Sequence, residues 1–392
     1  MRNIQTINNP YGDEKVISAC SIFGMMDTSG KVFSGQAVRT AMANMRDRGN
    51  GLGGGFAVYG LYPDHEESYA LHIMFASPEG KLAVDELLSE NFIIAHDEEV
   101  STRKTEGITD EPMVWRYFVS PRPENAGPGE EDDFVVARVL EINFSVEDAF
   151  IFSSGKNMAV FKGVGFPEQI YDYFCLEDYE GYIWTAHGRF PTNSQAWWGG
   201  AHPFSLLDWA VVHNGEISSY GANRAYLETV GYRCTMQTDT EVMVYAIDLL
   251  MRKHKLSPEI FARVVAPPLW EEIDRMDEKD AELHRALRSV YGGLLMNGPF
   301  AVVISNNSQM IALTDRIRLR PLTAATNDSV LYISSEEASI RLVSGDLESV
   351  WTPMGGVPVV GEIGSLPTKD QSGGVRTVDG KHRPRPSVEV AK

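Results

Sequence analysis

Val16-Ile17-Ser18-Ala19-Cys20-Ser21-Ile22-Phe23-Gly24-Met25-Met26 is an apolar, strand-like stretch with one thiol inside it. Ahead of it, residues 1–19 are polar and carry the turn cluster Asn8-Asn9-Pro10-Tyr11-Gly12, so they read as a leader rather than a structural element. A cysteine on an apolar strand is ordinarily a small hydrophobe. Cleavage between Ala19 and Cys20 would change its chemistry. The exposed α-amine, with a pKa of about 8, can take the thiol proton while the sulfur attacks an amide carbon. Uncleaved, the same nitrogen is a peptide amide and cannot act as a base.

The chain has 392 residues, 43% of them hydrophobic, which is enough for a sizeable core in one large or two medium domains. Its net charge of −19 repels phosphate backbones and anionic lipids, so neither nucleic acid nor a membrane surface is expected as a partner. The three cysteines, Cys20, Cys175 and Cys234, show no CxxC spacing, which argues against a disulfide framework or a zinc site and for a reducing cytoplasm. No apolar run is long enough for a signal peptide or a membrane span. The longest apolar-rich segment, Val242 to Met251, contains Asp248 and reads as a buried helix.

Outward from Cys20, Ser34 is placed to cap a helix ending at Gly49, with Val38, Ala41, Met42 and Met45 on one face. A glycine-rich turn, 49–55, precedes a strand at Phe56–Tyr62. Residues 63–150 are an acidic insertion with strands predicted at Leu71–Phe75, Val114–Val119 and Phe134–Asn143, and a mobile loop at Pro121–Asp133. Further strands are predicted at Ala159–Phe161, Tyr182–Ala186, Trp209–His213, Phe300–Ser305, Met310–Thr314 and Val330–Ser334. Helices are predicted near Asn223–Val230, Asp239–His254 and Trp270–Tyr291. Hairpins followed by long helices argue for α+β layers rather than a doubly wound sheet. The tail, residues 366–392, is rich in Lys, Gly, Pro and Arg and is expected to be disordered.

Three downstream motifs complement the thiol. In His187-Gly188-Arg189-Phe190-Pro191-Thr192-Asn193, Arg189 can be a structural ion-pair partner or a guanidinium fork for an α-carboxylate, with Thr192 as a further donor. In His213-Asn214-Gly215-Glu216-Ile217, Asn214-Gly215 is a strong hairpin signal. Alternatively the Asn214 amide and the Gly215 N–H form an oxyanion hole. In Thr238-Asp239-Thr240-Glu241, Thr238 and Glu241 match a helix capping box, and Asp239 is then free to bind an ammonium. Gly49-x-Gly51-x-x-Gly54 matches a dinucleotide fingerprint but follows a helix and precedes a strand, the reverse of the required context, so a crowded turn is expected. His187, His202 and His213 have no metal-ligand spacing, and no metal is expected.

Thiol, carboxylate binder, oxyanion donor and ammonium binder suit free glutamine. In this order the motifs resemble the class II glutamine amidotransferases, the N-terminal-nucleophile (Ntn) type, and most closely the glutaminase part of glutamate synthase. Gly298-Pro299-Phe300-Ala301, Asp315 to Leu322 and Ser334-Ser335-Glu336 are similar to further family patterns. The resemblance implies a four-layer αββα sandwich over residues 20–365 and glutamine hydrolysis through a γ-glutamyl thioester on Cys20. Asn214 and Gly215 would serve the oxyanion, Arg189 and Thr192 the carboxylate, and Asp239 the ammonium. It further implies the separate amidotransferase subunit of a split, archaeal-type glutamate synthase, with no cofactor on this chain and FMN and an iron–sulfur cluster on a partner. Where the family usually has Gly after the nucleophile, this chain has Ser21. That departure and the leader leave two alternatives: the amidotransferase subunit of an N-methylglutamate-synthase-like complex, and an unprocessed, inactive scaffold.

Overall fold

Ser21–Asp27 is apolar on both faces because it is covered on both: its even-numbered residues meet a second sheet and its odd-numbered ones meet helices. The computed structural model describes residues 19–190 and 197–367, together with the backbone of Gly374–Thr377 and His382–Pro384. In it the Cys20 strand lies at the centre of a seven-stranded antiparallel sheet. The order is Ser349–Trp351, Thr323–Asn327, Val330–Ser334, Ser21–Asp27, Ile183–Gly188, Gly54–Tyr59, Met158–Gly163.

The second sheet starts Phe204–Leu206, Trp209–Gly215, Phe300–Ser305, Gln309–Thr314, Val359–Glu362, Ser365–Pro367, and continues into Gly374–Thr377 and His382–Pro384. Small side chains on its inner face, Ala210, Val212, Ala301, Val303 and Ala312, share a core with the first sheet. Larger ones on its outer face, including Phe300, Ile304, Ile311 and Leu313, share a core with the helices. Gly24 lets the sheets approach: a Cβ there would lie 2.8 Å from Met310 Sδ. Helices Gln36–Asn44, Pro167–Tyr173 and Glu337–Val343 cover the first sheet, and Tyr220–Thr229, Asp239–Ile247, Pro258–Val265 and Glu278–Tyr291 lie on the side of the second. This is the α+β, four-layer αββα sandwich that the resemblance implied.

The inserted region builds its own sheet. Tyr69–Phe75, helix Pro78–Asn91, Phe92–Glu99, Met113–Pro121, helix Glu131–Ser145 and Ala149–Ser153 follow one another as βαββαβ. The spatial order, Phe92–Glu99, Met113–Pro121, Tyr69–Phe75, Ala149–Ser153, is that of a split βαβ unit. Phe134–Asn143, expected as a strand, is therefore helix. Its Val and Ile content suggested β structure, but Val135, Val136, Val139, Leu140 and Ile142 are buried together at helical spacing, and Glu131, Asp132 and Asp133 favour the helix start electrostatically. The loop expected at Pro121–Asp133 shrinks accordingly to 122–130.

Other boundaries differ as well. Trp270–Tyr291 breaks into Trp270–Ile273 and Glu278–Tyr291. The first helix has Gly35 rather than Ser34 at its cap position and ends at Asn44, before a 3₁₀ turn at Arg46–Arg48. The tail is not disordered from 366, because Leu366 is buried and Ser365–Pro367 extends the second sheet. The remaining tail residues and the leader before Ala19 lie outside the described residues. Among the described residues no helix is long and apolar enough to cross a membrane.

One charged side chain is deep in the core. Lys162 is 1% exposed and its Nζ lies 4.4 Å from the Phe204 ring. Burial, with Arg189 adding to it against Glu241, pushes its ammonium down to about 7. The folded chain thus binds fewer protons than the unfolded one above that pH, so this group's contribution to stability rises between pH about 7 and the unfolded lysine value of about 10.4. Thermal melts should show wild type gaining on Lys162→Met across that window. Gly24→Leu should cost about 1–3 kcal/mol in urea unfolding, since it forces the sheets apart.

Candidate active site

Ser21 pairs with Gly188 across the centre of the first sheet, and this register sets Cys20 against the chain leaving the neighbouring strand. The Phe190 N–H donates to Cys20 Sγ at 3.4 Å. Arg48 Nε donates to the Cys20 carbonyl at 3.2 Å, and Arg48 is itself held by Glu336 at 2.8 Å. Burial pushes the thiol up, while the Phe190 N–H, Arg189 and Arg320 work in the opposite direction. Ser21 fits because its partner has no side chain: a Cβ on Gly188 would lie 2.5 Å from Ser21 Oγ.

Arg189 is buried, and its backbone is fixed by the glycine-rich turn: its N–H donates to Gly53 O at 2.8 Å, and Asn50 N–H donates to Arg189 O at 3.3 Å. A Cβ on Gly53, where φ is +156°, would lie 2.9 Å from Arg189 Cδ, so the turn is crowded by the arginine side chain. Burial lowers the guanidinium, and Cys20 and Asp239 oppose this, which puts both near it. Thr192 lies outside the described residues, as do the other positions from 191 to 196.

Asn214-Gly215 is not a hairpin turn. The two residues end the strand Trp209–Gly215, opposite Ala301 and Phe300. Gly215 has φ +145°, and a Cβ there would lie 1.9 Å from Pro299 O, a close approach that only glycine allows. Asn214 is fully buried; its Nδ2 donates to Ser335 Oγ at 3.4 Å, and among the described residues its Oδ1 has no hydrogen-bond partner. Ser335 Oγ also accepts from Ile22 N–H at 3.2 Å, so one hydroxyl ties the oxyanion candidate to the Cys20 strand. The sequence reading placed Ser335 in a family pattern but gave it no role, because the contact follows from the pairing of Ile333 with Gly24, which local pattern does not show.

Asp239 Oδ2 accepts from Ile217 N–H at 2.9 Å, and Oδ1 accepts from the Thr240 hydroxyl at 3.2 Å and lies 3.6 Å from His213 Nδ1. Burial alone would raise this carboxyl, but His213, Ile217 and Thr240 overcome it and hold it at about 2. The expected capping box is absent: Thr238 makes no side-chain cap. Glu241 instead takes the N–H groups of Thr235 and Met236, both at 2.9 Å, because the preceding loop folds back over the helix start. Burial raises Glu241 to about 7.

Three histidines brace the floor. His202 Nε2 and His213 Nδ1 each lie 3.2 Å from Thr240 Oγ1, and His187 Nε2 is 3.0 Å from His213 O. Burial, with Arg189 adding to it, pushes His187 down to about 3, and burial with the neighbouring histidines holds His202 well below its usual value. Both are therefore neutral struts. Sequence reading treated these histidines only as metal candidates, because the meeting of His202 and His213 at Thr240, with His187 on the His213 carbonyl, joins segments distant in the chain.

The family model for class II glutamine amidotransferases matches residues 94–349. The chain is 54% identical to an uncharacterized protein of Archaeoglobus fulgidus, covering 90% of this chain and 94% of the relative. It is 27% identical to a putative glutamine amidotransferase of Methanothermobacter thermautotrophicus, over 83% of this chain and 93% of that one. Glutamine phosphoribosylpyrophosphate amidotransferase from Bacillus subtilis is 14% identical with a TM-score of 0.44, over 93% of this chain and about half (49%) of that enzyme, a superposition too loose to bear on function. With Cys20, Arg189 and Asn214 at the ends of internal strands of the two sheets, Asp239 at the start of a helix beside them, and the family model spanning most of the chain, the protein belongs to the class II glutamine amidotransferases.

Proposed function

We propose that this chain is the glutaminase subunit of a glutamate-synthase-like complex, and that it hydrolyses glutamine on Cys20 and passes the ammonia to a partner carrying FMN and an iron–sulfur cluster. What supports the glutaminase chemistry is one cation and one anion on the elements around the thiol: Arg189 adjoins Phe190, whose N–H donates to Cys20 Sγ, and Asp239 accepts from Ile217 N–H, just beyond Asn214-Gly215. That spacing of opposite charges suits an amino acid head group. A free-standing peptide amide has neither charge to offer them.

In this reading residues 1–19 are removed and the new α-amine of Cys20 takes the thiol proton. The sulfur attacks the glutamine carboxamide carbon. The Asn214 Nδ2 amide, now spanning a long 3.4 Å contact to Ser335, turns its donor to the oxyanion beside the Gly215 N–H. The C–N bond breaks, ammonia leaves with the proton from the amine, and water then cleaves the γ-glutamyl thioester to glutamate. Arg189 and Thr192 hold the substrate carboxylate, and Asp239, ionised across the working pH range, holds the ammonium. The partner is supported by 26% identity to the large chain of Bacillus subtilis glutamate synthase, covering 58% of this chain and 15% of that one.

Purified from its native host, the active chain should begin at Cys20 by intact mass and release glutamate and ammonia from glutamine. Cys20→Ala should lose hydrolysis altogether; retained turnover in that variant would overturn the proposal. Asn214→Ala should lower kcat by about 10²–10³ with a smaller change in KM. Asp239→Asn should act chiefly on KM. Because the base is an α-amine, kcat/KM should rise with pH and level off above about 8.

A further inference from the structure

Resting on that reading, we propose that the loop Arg316-Ile317-Arg318-Leu319, with Arg288 and Trp270 beside it, is the docking surface for the ammonia-accepting subunit, and that the partner meets it with an apolar face rimmed by carboxylates. The first observation is one of charge. The chain carries 54 acidic and 35 basic residues, yet among the described residues no carboxylate lies within ion-pair distance of Arg288, Arg316, Arg318 or Arg320. Arg288 Nε and Arg320 Nε are buried without a hydrogen-bond partner. Arg288 is lowered by burial and by its like-charged neighbour Arg316. On an acidic protein, cations left together without counter-charges point to an anionic surface supplied from outside.

The second observation is that the loop is built to present these groups. Asp315 turns inward and its carboxylate accepts from the N–H groups of Phe300, Ile317 and Leu319 at 3.3, 3.0 and 2.9 Å. The acid beside the arginines is thereby occupied by backbone, and Arg318 is forced to φ +55°. Ile317 and Leu319 are left 59% and 57% exposed, and Trp270, stacked under Arg288 at 4.0 Å, is 52% exposed. Arginine, tryptophan and branched apolar side chains around one point are the composition of an interface centre.

The third observation is position. Arg316 Nη2 donates to Asn297 Oδ1 at 2.7 Å, and Asn297 O accepts from Ser218 N–H at 2.7 Å, three residues beyond Gly215. Arg320, at the other end of the loop, is close enough to influence the Cys20 thiol. The surface therefore adjoins both sides of the centre that would release ammonia. A two-fold dimer through it would set arginine against arginine, so the occupant argued from charge is a different, acidic chain.

The test uses the full tagged chain in its native cells. The protein that co-purifies with wild type is identified, and benzoylphenylalanine is then placed at Leu319 and, as a control, at Leu82, which is 64% exposed on the inserted unit. Cross-linking to that protein from 319 and not from 82 is expected. Arg318→Glu with Leu319→Asp should weaken its capture at least about tenfold while leaving glutamine hydrolysis by the purified chain unchanged. A variant that keeps the partner, a cross-link from 82 alone, wild type purifying without any partner, or displacement of the partner by millimolar inorganic phosphate would each overturn the docking surface. Absence of glutamine hydrolysis in the wild-type chain would instead overturn the proposed function, and the cross-link would still report on docking.

Discussion

The antiparallel pairing of Ser21 with Gly188 is the constraint on which the site depends. It lies between two central strands of a sheet covered on both faces, so a slip of one residue would turn the buried side chains of Ser21–Asp27 onto the wrong face. That register sets Cys20 beside Arg189 and Phe190, and the neighbouring strand Val330–Ser334 delivers Ser335 to Ile22 and Asn214. A single hydroxyl thereby couples the Cys20 strand of one sheet to the Asn214 strand of the other. Gly188 makes room for the serine that stands where the family usually has glycine, so this departure is compensated within the same pair.

Below the thiol, the histidines His187 and His202 are kept neutral while Asp239 keeps its charge. The two rings are desolvated too strongly to ionise, whereas several donors point at the carboxylate. Fixed dipoles around one carboxylate and one guanidinium give a site whose electrostatics need little rearrangement when substrate binds. The glycine-rich turn at 49–55 belongs to this arrangement as a wall against Arg189, a use of glycine for close approach rather than for phosphate.

Much of both sheets was legible in the sequence because their strands are short apolar runs bounded by turn residues; Val330–Ser334 in the first and Phe300–Ser305 in the second coincide with their predicted limits. Phe134–Asn143 was not, because a helix rich in Val and Ile has the composition of a strand and differs only in which positions are buried. Asn214-Gly215 and Thr238–Glu241 show the same limit. Their local preferences, a hairpin turn and a capping box, were real, but Pro299 crowding Gly215 and the loop amides taken by Glu241 come from tertiary packing and prevailed.

By itself the sequence determined the family, the layered α+β class and the identity of the groups around the thiol, since residue type and order are enough to specify a thiol, a guanidinium, an amide and a carboxylate. Only the tertiary structure decided how they are held. Ser335 bridging two sheets, His202 and His213 meeting at Thr240 with His187 behind them, and Arg288 set beside Arg316 each join residues from separate elements. Such juxtapositions are set by strand register and layer stacking, and local sequence pattern carries no record of either.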